Sequence, residues 1–169
     1  MFEHLRPFRV VLVAGPQRSG TSVATKMIAA DAGKTAVLEE AFRVQDTERW
    51  RQMAGQGNNV VIQCPTMTRY LCEFGYRDDV VIAFMVRPLR DIFDSQDRAN
   101  WPLHEKLREL SRYGLTSGEP ARVKYDYWAT TQRPRVRHWY EVDYSALYFH
   151  ELWLGDDMRI KFNKRQTAV

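Results

Sequence analysis

The chain has 169 residues, 44% of them hydrophobic and 27% charged, and its formal net charge at pH 7 is +4. This length suits one domain with a sizeable core, and the composition is ordinary for a soluble globular protein. The apolar run at residues 10–14 is too short to cross a membrane, which takes about 20 residues, and no secretory signal is visible. The modest positive charge suits a small polyanionic ligand and does not indicate nucleic acid.

Apolar runs alternate with amphipathic stretches along the whole chain, which predicts alternating strands and helices. The predicted strands are residues 8–14, 35–38, 60–63, 80–86 and 135–142. The predicted helices are residues 20–31, 41–54, 66–75, 88–99, 103–113 and 146–153. This alternation predicts an α/β fold: a three-layer sandwich around a central, mostly parallel five-stranded sheet of the P-loop nucleotide-binding type.

Some side chains have predicted places in these elements. The helix at 41–54 presents Phe42, Trp50 and Met53 on its apolar side; Leu103, Leu107 and Leu110 share one face of the helix at 103–113; and Ser145 is the expected cap of the last helix. Residues 114–134 contain two glycines and two prolines and are predicted to form an irregular substrate loop or lid within the single domain 1–169. Residues 158–169 form a basic tail.

The turn after the first strand carries the strongest chemical signal. The spacing Gly15-x4-Gly20-Thr21-Ser22 nearly matches the phosphate-binding pattern GxxxxGK[ST], with Thr21 where that pattern has lysine. Its backbone N–H groups and the helix that follows favour an anion, and Arg18 adds a positive charge. We expect this turn to bind a phosphate or sulfate group.

A second anion site is predicted after the fourth strand. Arg87 stands at the strand tip, and Ser95 follows two helical turns later. The alternative is that Arg87 pairs with Asp91 and that Ser95 is a solvated helix residue. Because the carboxyl ends of parallel strands share one edge, we expect Glu39 and Gln63 to join Arg87 and the first turn there.

These motifs resemble those of the P-loop sulfotransferases. The segment PQRSGTS resembles their 5′-phosphosulfate loop, PKSGTT or PRSGTT, and the block Met85–Ser95 is similar to their 3′-phosphate motif, an arginine followed eight residues later by a serine. Glu39-Glu40 resembles the catalytic glutamate region of the protein-tyrosine and some bacterial sulfotransferases. The segment 140–147 is similar to their YE…L segment. The resemblance covers residues 8–99, and 136–154 more loosely, in a chain that is short for the family.

The resemblance implies transfer of a sulfuryl group from 3′-phosphoadenosine 5′-phosphosulfate (PAPS) to a hydroxyl or amine of a small-molecule or peptide acceptor, without a metal. It assigns the 5′ end of the donor to Gln17, Arg18, Ser19, Gly20, Thr21 and Ser22, and the 3′-phosphate to Arg87 and Ser95. Arg18 would neutralise charge on the bridging oxygen, and Glu39 would be the general base. Glu40 and His104 are the alternative bases, and Glu39 could instead cap the helix predicted at residue 41.

Two departures from the family pattern keep other functions open. Gln63 stands where many relatives carry a lysine or histidine; it can bond a sulfuryl oxygen but carries no charge, and Lys26 and Arg43 are candidates to supply one. The RKGxxGDW-type loop is absent, and the basic tail at 161–165 is a candidate substitute. The alternatives are a non-catalytic nucleotide-binding protein of the same fold and a nucleotide or metabolite kinase. A kinase would need a lysine in place of Thr21 and a carboxylate for magnesium.

Two further groups of residues have predicted environments. Cys64 and Cys72 are eight residues apart, which is not a metal-ligand spacing, and no histidine pair accompanies them. We interpret both as reduced thiols of a cytoplasmic protein that binds no metal. The late aromatic residues either pack as core and loop or contact adenine and the acceptor; they are Tyr125, Tyr127, Trp128, Trp139 and Tyr140.

Overall fold

A central parallel sheet organises the chain. The computed structural model describes residues 1–41 and 47–154. The five strands are β1 (Val10–Ala14), β2 (Thr35–Val37), β3 (Val60–Gln63), β4 (Val80–Val86) and β5 (Trp139–Asp143), in the order β2-β3-β1-β4-β5 with every pair parallel. All five residues of β1 are buried, as the continuous apolar run of a central parallel strand requires.

Helices cover both faces of the sheet. They are α1 (Thr21–Ala32), α2 (Thr47–Gln56), α3 (Cys72–Gly75), α4 (Leu89–Arg98), α5 (Leu103–Ser111), α6 (Pro120–Tyr127) and α7 (Glu151–Leu154). On one face, Met27 and Ile28 of α1 pack against alternate residues of β1 and β4. On the other, Trp50 of α2 and Trp128 pack against the opposite side chains of those strands. The predicted three-layer α/β architecture is confirmed, and the sheet is fully parallel.

Register places the predicted site residues at one edge. Val13 of β1 pairs with Gln63 of β3, and Ala14 pairs with Phe84 of β4. The chain segments that leave β1, β3 and β4 therefore emerge side by side at the carboxyl ends of the strands. Topology alone thus brings residues about 70 positions apart in sequence, such as Arg18 and Arg87, to the same edge.

Most of the segment 114–134 is helical, so the prediction of an irregular stretch is wrong for residues 120–134. It contains α6 and a π-helical turn, Trp128–Gln132. Pro120 occupies the first helical turn, where a proline is tolerated because that N–H has no helical partner, so it begins the helix instead of interrupting it. Ala121, Lys124 and Trp128 are buried along one face. A role of this segment beside the acceptor stays a prediction.

Two predicted helices, one predicted cap and one predicted strand differ from the structure. The helix predicted at 66–75 is a 3-10 segment, Pro65–Tyr70, followed by α3, and the one predicted at 146–153 is a 3-10 segment, Tyr144–Phe149, followed by α7. Asp143, not Ser145, is the cap: its carboxylate accepts the Ser145 N–H at 2.8 Å. The strand predicted at 135–142 begins only at Trp139, after a 3-10 turn at Arg133–Arg135.

Within the described residues, the second predicted helix is α2, Thr47–Gln56, and residue 41 ends a 3-10 turn, Glu39–Ala41. Phe42 and Arg43 lie outside the described residues, as does the basic tail at 158–169. On α5, Leu110 is buried, whereas Leu103 and Leu107 are exposed. Across the parts of the chain that the structure describes, no helix combines the length and apolar character needed to cross a membrane.

Candidate functional site

The turn from β1 into α1 is shaped to receive an anion. Three of its residues, Gly15, Arg18 and Gly20, have positive φ angles of 134°, 70° and 98°. Ser19 closes the turn by donating from its backbone N and its Oγ to the Pro16 carbonyl oxygen, at 3.2 and 2.7 Å. Within the described residues, no side chain caps the N-terminus of α1. The first-turn N–H groups of this 12-residue helix therefore remain available to an external acceptor.

Gly20 is required at its position by contact as well as by backbone angle. A Cβ atom built on Gly20 would collide with the ring of Tyr144. The same ring lies 4.0 Å below the guanidinium carbon of Arg87. The turn at residues 15–22 is called the P-loop below. Tyr144 thus packs between the P-loop and Arg87, and it holds the two predicted anion sites together.

Gln63 connects the end of β3 to the P-loop. Its Nε2 donates to Thr21 Oγ1 at 3.2 Å and to Ser22 Oγ at 2.8 Å, and its Oε1 accepts the Glu39 N–H at 3.3 Å. Both amide hydrogens are thereby used within the protein. Because the two hydroxyl oxygens accept from Gln63, their own hydrogens are free to turn toward a ligand.

Glu39 is a buried carboxylate beside this junction. Its Oε1 accepts hydrogen bonds from the Thr66 N–H at 3.0 Å and from the Thr66 hydroxyl. Burial raises the pKa of Glu39, and the Thr66 bonds and the Lys124 cation partly oppose that rise. The neighbouring Glu40 is exposed. Of the two acidic residues predicted here, Glu39 has the desolvated surroundings that tune a carboxyl toward proton transfer.

The two other charged candidates with described positions, His104 and Lys26, lie on α5 and α1. His104 is exposed on α5, and its described ionic contact is with Glu105 at 3.7 Å, not with the P-loop. Lys26 lies on α1, a full turn beyond Ser22. The contact with Glu105 does not place His104 at the junction of Gln63 and Thr21.

Arg87 and Ser95 lie against the P-loop. The Arg87 Nη1 donates to the Arg18 carbonyl oxygen at 2.9 Å, and Ser95 Oγ accepts from Arg18 Nε at 3.2 Å. Tyr125 fixes the Arg87 backbone: its hydroxyl accepts the Arg87 N–H and donates to the Arg87 carbonyl, both at 2.8 Å. Among the described contacts, no ion pair joins Arg87 to Asp91, which removes the alternative considered from sequence.

Positive charges converge at this junction. Partial burial lowers the pKa of Arg18, and the cations of Arg87 and Arg98 lower it further. The Arg87 Nε is buried and has no hydrogen-bond partner among the residues that the structure describes. Like charges held this close repel one another, and a bound dianion would relieve that repulsion. The arrangement therefore favours a phosphate-type ligand.

Lys124 is a site residue that sequence reasoning missed. It is fully buried in α6, where its Nζ donates to Gln17 Oε1 and to the Pro65 carbonyl oxygen, both at 2.6 Å, and forms an ion pair with Glu109 Oε1 at 2.6 Å. Burial lowers the pKa of Lys124, while Glu109 and Glu39 favour its charged form. Its spacing from Ala121 and Trp128 is helical, so a lysine on an apolar stripe was the available signal.

A cavity opens next to Thr66. Its volume is about 350 Å³, and it is lined by Thr47, Thr66, Met67, Tyr70, Arg108, Ser111 and Arg112. The late aromatic residues do not share it. Trp128 stacks on Phe84 in the core at 4.4 Å, Tyr125 supports Arg87, and Trp139 and Tyr140 are exposed on β5. Core and loop packing is therefore the better description of Trp128.

Comparisons with known proteins show the fold class. No protein-family model matches the chain, and no curated protein matches it. Among solved structures, shikimate kinase from Acinetobacter baumannii in complex with shikimate matches with a TM-score of 0.53 and 13% sequence identity. The match covers 97% of this chain and 99% of that one. The chain therefore shares the α/β fold of that P-loop protein.

Proposed function

We propose that this protein binds PAPS and transfers its sulfuryl group to a hydroxyl or amine of a small-molecule or peptide acceptor. The observation that carries the proposal is the contact of Arg87 and Ser95 with Arg18: the second predicted anion site adjoins the P-loop at the same sheet edge. A donor with a phosphosulfate at one end of an adenosine and a phosphate at the other needs two such sites. Placement of Arg87 at the opposite edge of the sheet from the P-loop would have excluded PAPS as the donor.

The P-loop end would hold the phosphosulfate. The α1 N-terminus and the hydroxyls of Thr21 and Ser22 supply hydrogen-bond donors without a metal ion. Gln63 supports this role indirectly, since its amide fills the lone pairs of both hydroxyls and leaves their hydrogens for the ligand. Arg18, which lies between the two sites, would neutralise the charge that grows on the bridging oxygen as the S–O bond breaks.

Glu39 would act on the acceptor. When the acceptor oxygen or nitrogen forms its new bond to sulfur, its proton must leave, and an ionised buried carboxylate next to the P-loop can take it. Thr66 hydrogen-bonds Glu39 and also lines the cavity, so a single residue connects the cavity with the proposed base. The cavity is accordingly our proposed acceptor site.

Metabolite kinase activity is the second candidate, because the fold match covers nearly the whole length of shikimate kinase. Two residues of the site oppose it. Thr21 replaces the lysine that P-loop kinases place on the phosphates. Gln63 occupies the end of the strand next to the P-loop and bonds Ser22, so a neutral amide stands where a carboxylate would help hold magnesium. A non-catalytic nucleotide-binding protein is the third candidate, favoured by the same neutral Gln63.

Ligand titrations separate the three candidates. We expect adenosine 3′,5′-bisphosphate to raise the melting temperature, adenosine 5′-monophosphate to do so much less, and Mg·ATP to have little effect. The reverse order would favour the kinase. Incubation with sulfur-labelled PAPS and a panel of phenols, sugars and amines then tests transfer. Binding of the bisphosphate with no labelled product across the panel would favour the non-catalytic protein.

Two further properties belong to the proposal. The free thiols Cys64 and Cys72 agree with a reducing compartment, and we propose the cytoplasm. No group of three or more potential metal-ligating side chains occurs within residues 1–41 and 47–154, and the transfer we propose requires none.

A further inference from the structure

The burial of Lys124 calls for an explanation beyond helix attachment. A lysine ammonium has three N–H donors and no acceptor; Lys124 donates hydrogen bonds to Gln17 and Pro65, and Glu109 Oε1 lies 2.6 Å away as its counter-ion. Removing a charge from water is unfavourable unless it is paired, and an apolar residue would attach α6 to the sheet without that penalty. The three contacts identify what the charge is for, because one of them is to the P-loop.

The contact with Gln17 fixes the orientation of its carboxamide. Oxygen and nitrogen of a glutamine amide are ordinarily exchanged by a simple rotation. Because Lys124 can only donate, the atom that it contacts at 2.6 Å must be the Gln17 oxygen. The Gln17 Nε2 therefore points away from Lys124, and within residues 1–41 and 47–154 it has no hydrogen-bond partner.

Lys124 also places charge where the motif residues are neutral. Thr21 stands at the lysine position of the P-loop pattern, and Gln63 at the end of β3 is uncharged. Through Gln17 and the Pro65 carbonyl, Lys124 contacts the P-loop and the turn after β3 at once. Its counter-ion Glu109 also binds Arg112 at 2.9 Å, so one carboxylate is shared between two cations.

We propose that Lys124 is a positioning residue of the donor site: it holds the Gln17 carboxamide with its N–H groups toward the bound anion. The inference rests on the proposed function in taking the P-loop as the donor site. Lys124 does not touch the ligand and acts through Gln17. The inference adds α6 to the proposed donor site, because Lys124, 107 residues along the chain from Gln17, contacts the P-loop.

Gln17→Glu is the sharpest variant. The carboxylate keeps an oxygen for Lys124 and strengthens that contact, but it has no N–H for the ligand. We expect the affinity for adenosine 3′,5′-bisphosphate, measured by calorimetry, to fall about tenfold or more, with no decrease in melting temperature. Gln17→Ala is the neutral control and should lose several-fold in affinity. If both variants bind within twofold of the unmodified protein, the inference is overturned.

Lys124 itself is tested in a background that tolerates its loss. Lys124→Met alone leaves Glu109 buried without its partner, so Glu109→Gln is the reference protein and Lys124→Met is added to it. If Lys124 acts through Gln17, adding Gln17→Ala to that double variant causes no further loss of affinity, whereas independent roles give additive losses. Lys124→Arg, which keeps the charge, should recover part of the affinity; a merely structural role would change the melting temperature and leave the affinities equal.

The inference and the proposed function can fail separately. Inorganic pyrophosphate is the second probe, because it needs only the P-loop. If the unmodified protein binds pyrophosphate but not adenosine 3′,5′-bisphosphate, and Gln17→Glu loses pyrophosphate, the role of Lys124 stands and the sulfotransferase proposal falls. If the unmodified protein and the Gln17 variants bind the bisphosphate equally, the sulfotransferase proposal stands and the role of Lys124 falls. If neither probe binds, both are contradicted.

Discussion

The guanidinium of Arg87 donates a hydrogen bond to the carbonyl oxygen of Arg18 at 2.9 Å while resting on the ring of Tyr144. These two arginines come from turns after different strands, β1 and β4, that are neighbours in the sheet. The contact makes the two predicted anion sites parts of one surface. Arg87 itself lies outside the P-loop turn, so it can be replaced without changing the sequence of that turn.

Replacing Arg87 with alanine should weaken binding of adenosine 3′,5′-bisphosphate by about 2–4 kcal/mol, since it removes a charged partner from a partly sheltered phosphate site. Binding of pyrophosphate, measured by the same calorimetry, should change much less. Arg87→Lys keeps the charge but not the two-pronged geometry. Its affinity for the bisphosphate should lie between those of Arg87→Ala and the unmodified protein. Unchanged affinity for the bisphosphate in Arg87→Ala would remove the second anion site.

Replacing Glu39 with glutamine should abolish most turnover and leave donor binding intact, because the amide keeps the shape and a hydrogen-bond acceptor for Thr66 but cannot take a proton. In the unmodified protein the raised pKa of Glu39 should place the acid limb of the kcat/KM profile above the usual range of a glutamate. Glu40→Gln, at an exposed position, is the matched control. Equal turnover of Glu39→Gln and Glu40→Gln would exclude Glu39 as the base.

The same pKa shift predicts how stability depends on pH. Because the folded state raises the pKa of Glu39 above its unfolded value, the stability contributed by this group is complete below the unfolded pKa and is lost as pH rises through the folded one. Glu39→Gln should therefore have a higher melting temperature than the unmodified protein at pH 7. The difference should shrink as the pH approaches 4. A lower melting temperature of Glu39→Gln than of the unmodified protein at pH 7 would contradict the raised pKa of Glu39.

Gly20 and Gly33 form a matched pair at the two ends of α1, both with positive φ. Alanine at Gly33 meets nothing within 4 Å and should cost only the conformational strain, about 1–2 kcal/mol. Alanine at Gly20 also collides with Tyr144 and should destabilise the protein more in urea unfolding and abolish bisphosphate binding. Tyr144→Ala in the Gly20→Ala protein should recover part of the stability; equal effects of the two glycine replacements would show that Tyr144 does not press on the P-loop.

The two thiols should differ in reactivity. Cys64 is fully buried, and burial raises the pKa of its thiol, whereas Cys72 is partly exposed. A chromogenic disulfide reagent should modify one thiol in the native protein and both in denaturant. Replacement of Cys72 with serine should eliminate the native reaction, and rapid modification of Cys64 would mean that the sheet edge opens readily.

Much of this architecture was predictable because its causes are local. The continuous apolar run from Val80 to Val86 marks a central strand, and the glycines at 15 and 20 mark a turn that only such residues make easily. Once the strands are parallel, their carboxyl ends must share an edge, so the meeting of Gln63, Arg87 and the P-loop follows from the element order. The prolines of residues 114–134 misled the prediction, because a proline is equally suited to end one helix or begin another.

Alternation of strands and helices, together with the spacing of glycine and arginine, determined the sheet and the edge at which we predict anion binding. Only the tertiary structure decided that Glu39 rather than Glu40 is buried, that Tyr144 presses against Gly20, and that Lys124 enters the P-loop site from α6. Those outcomes depend on how distant helices and turns settle on the sheet, and the packing of surfaces far apart in sequence leaves no periodic signal in either of them.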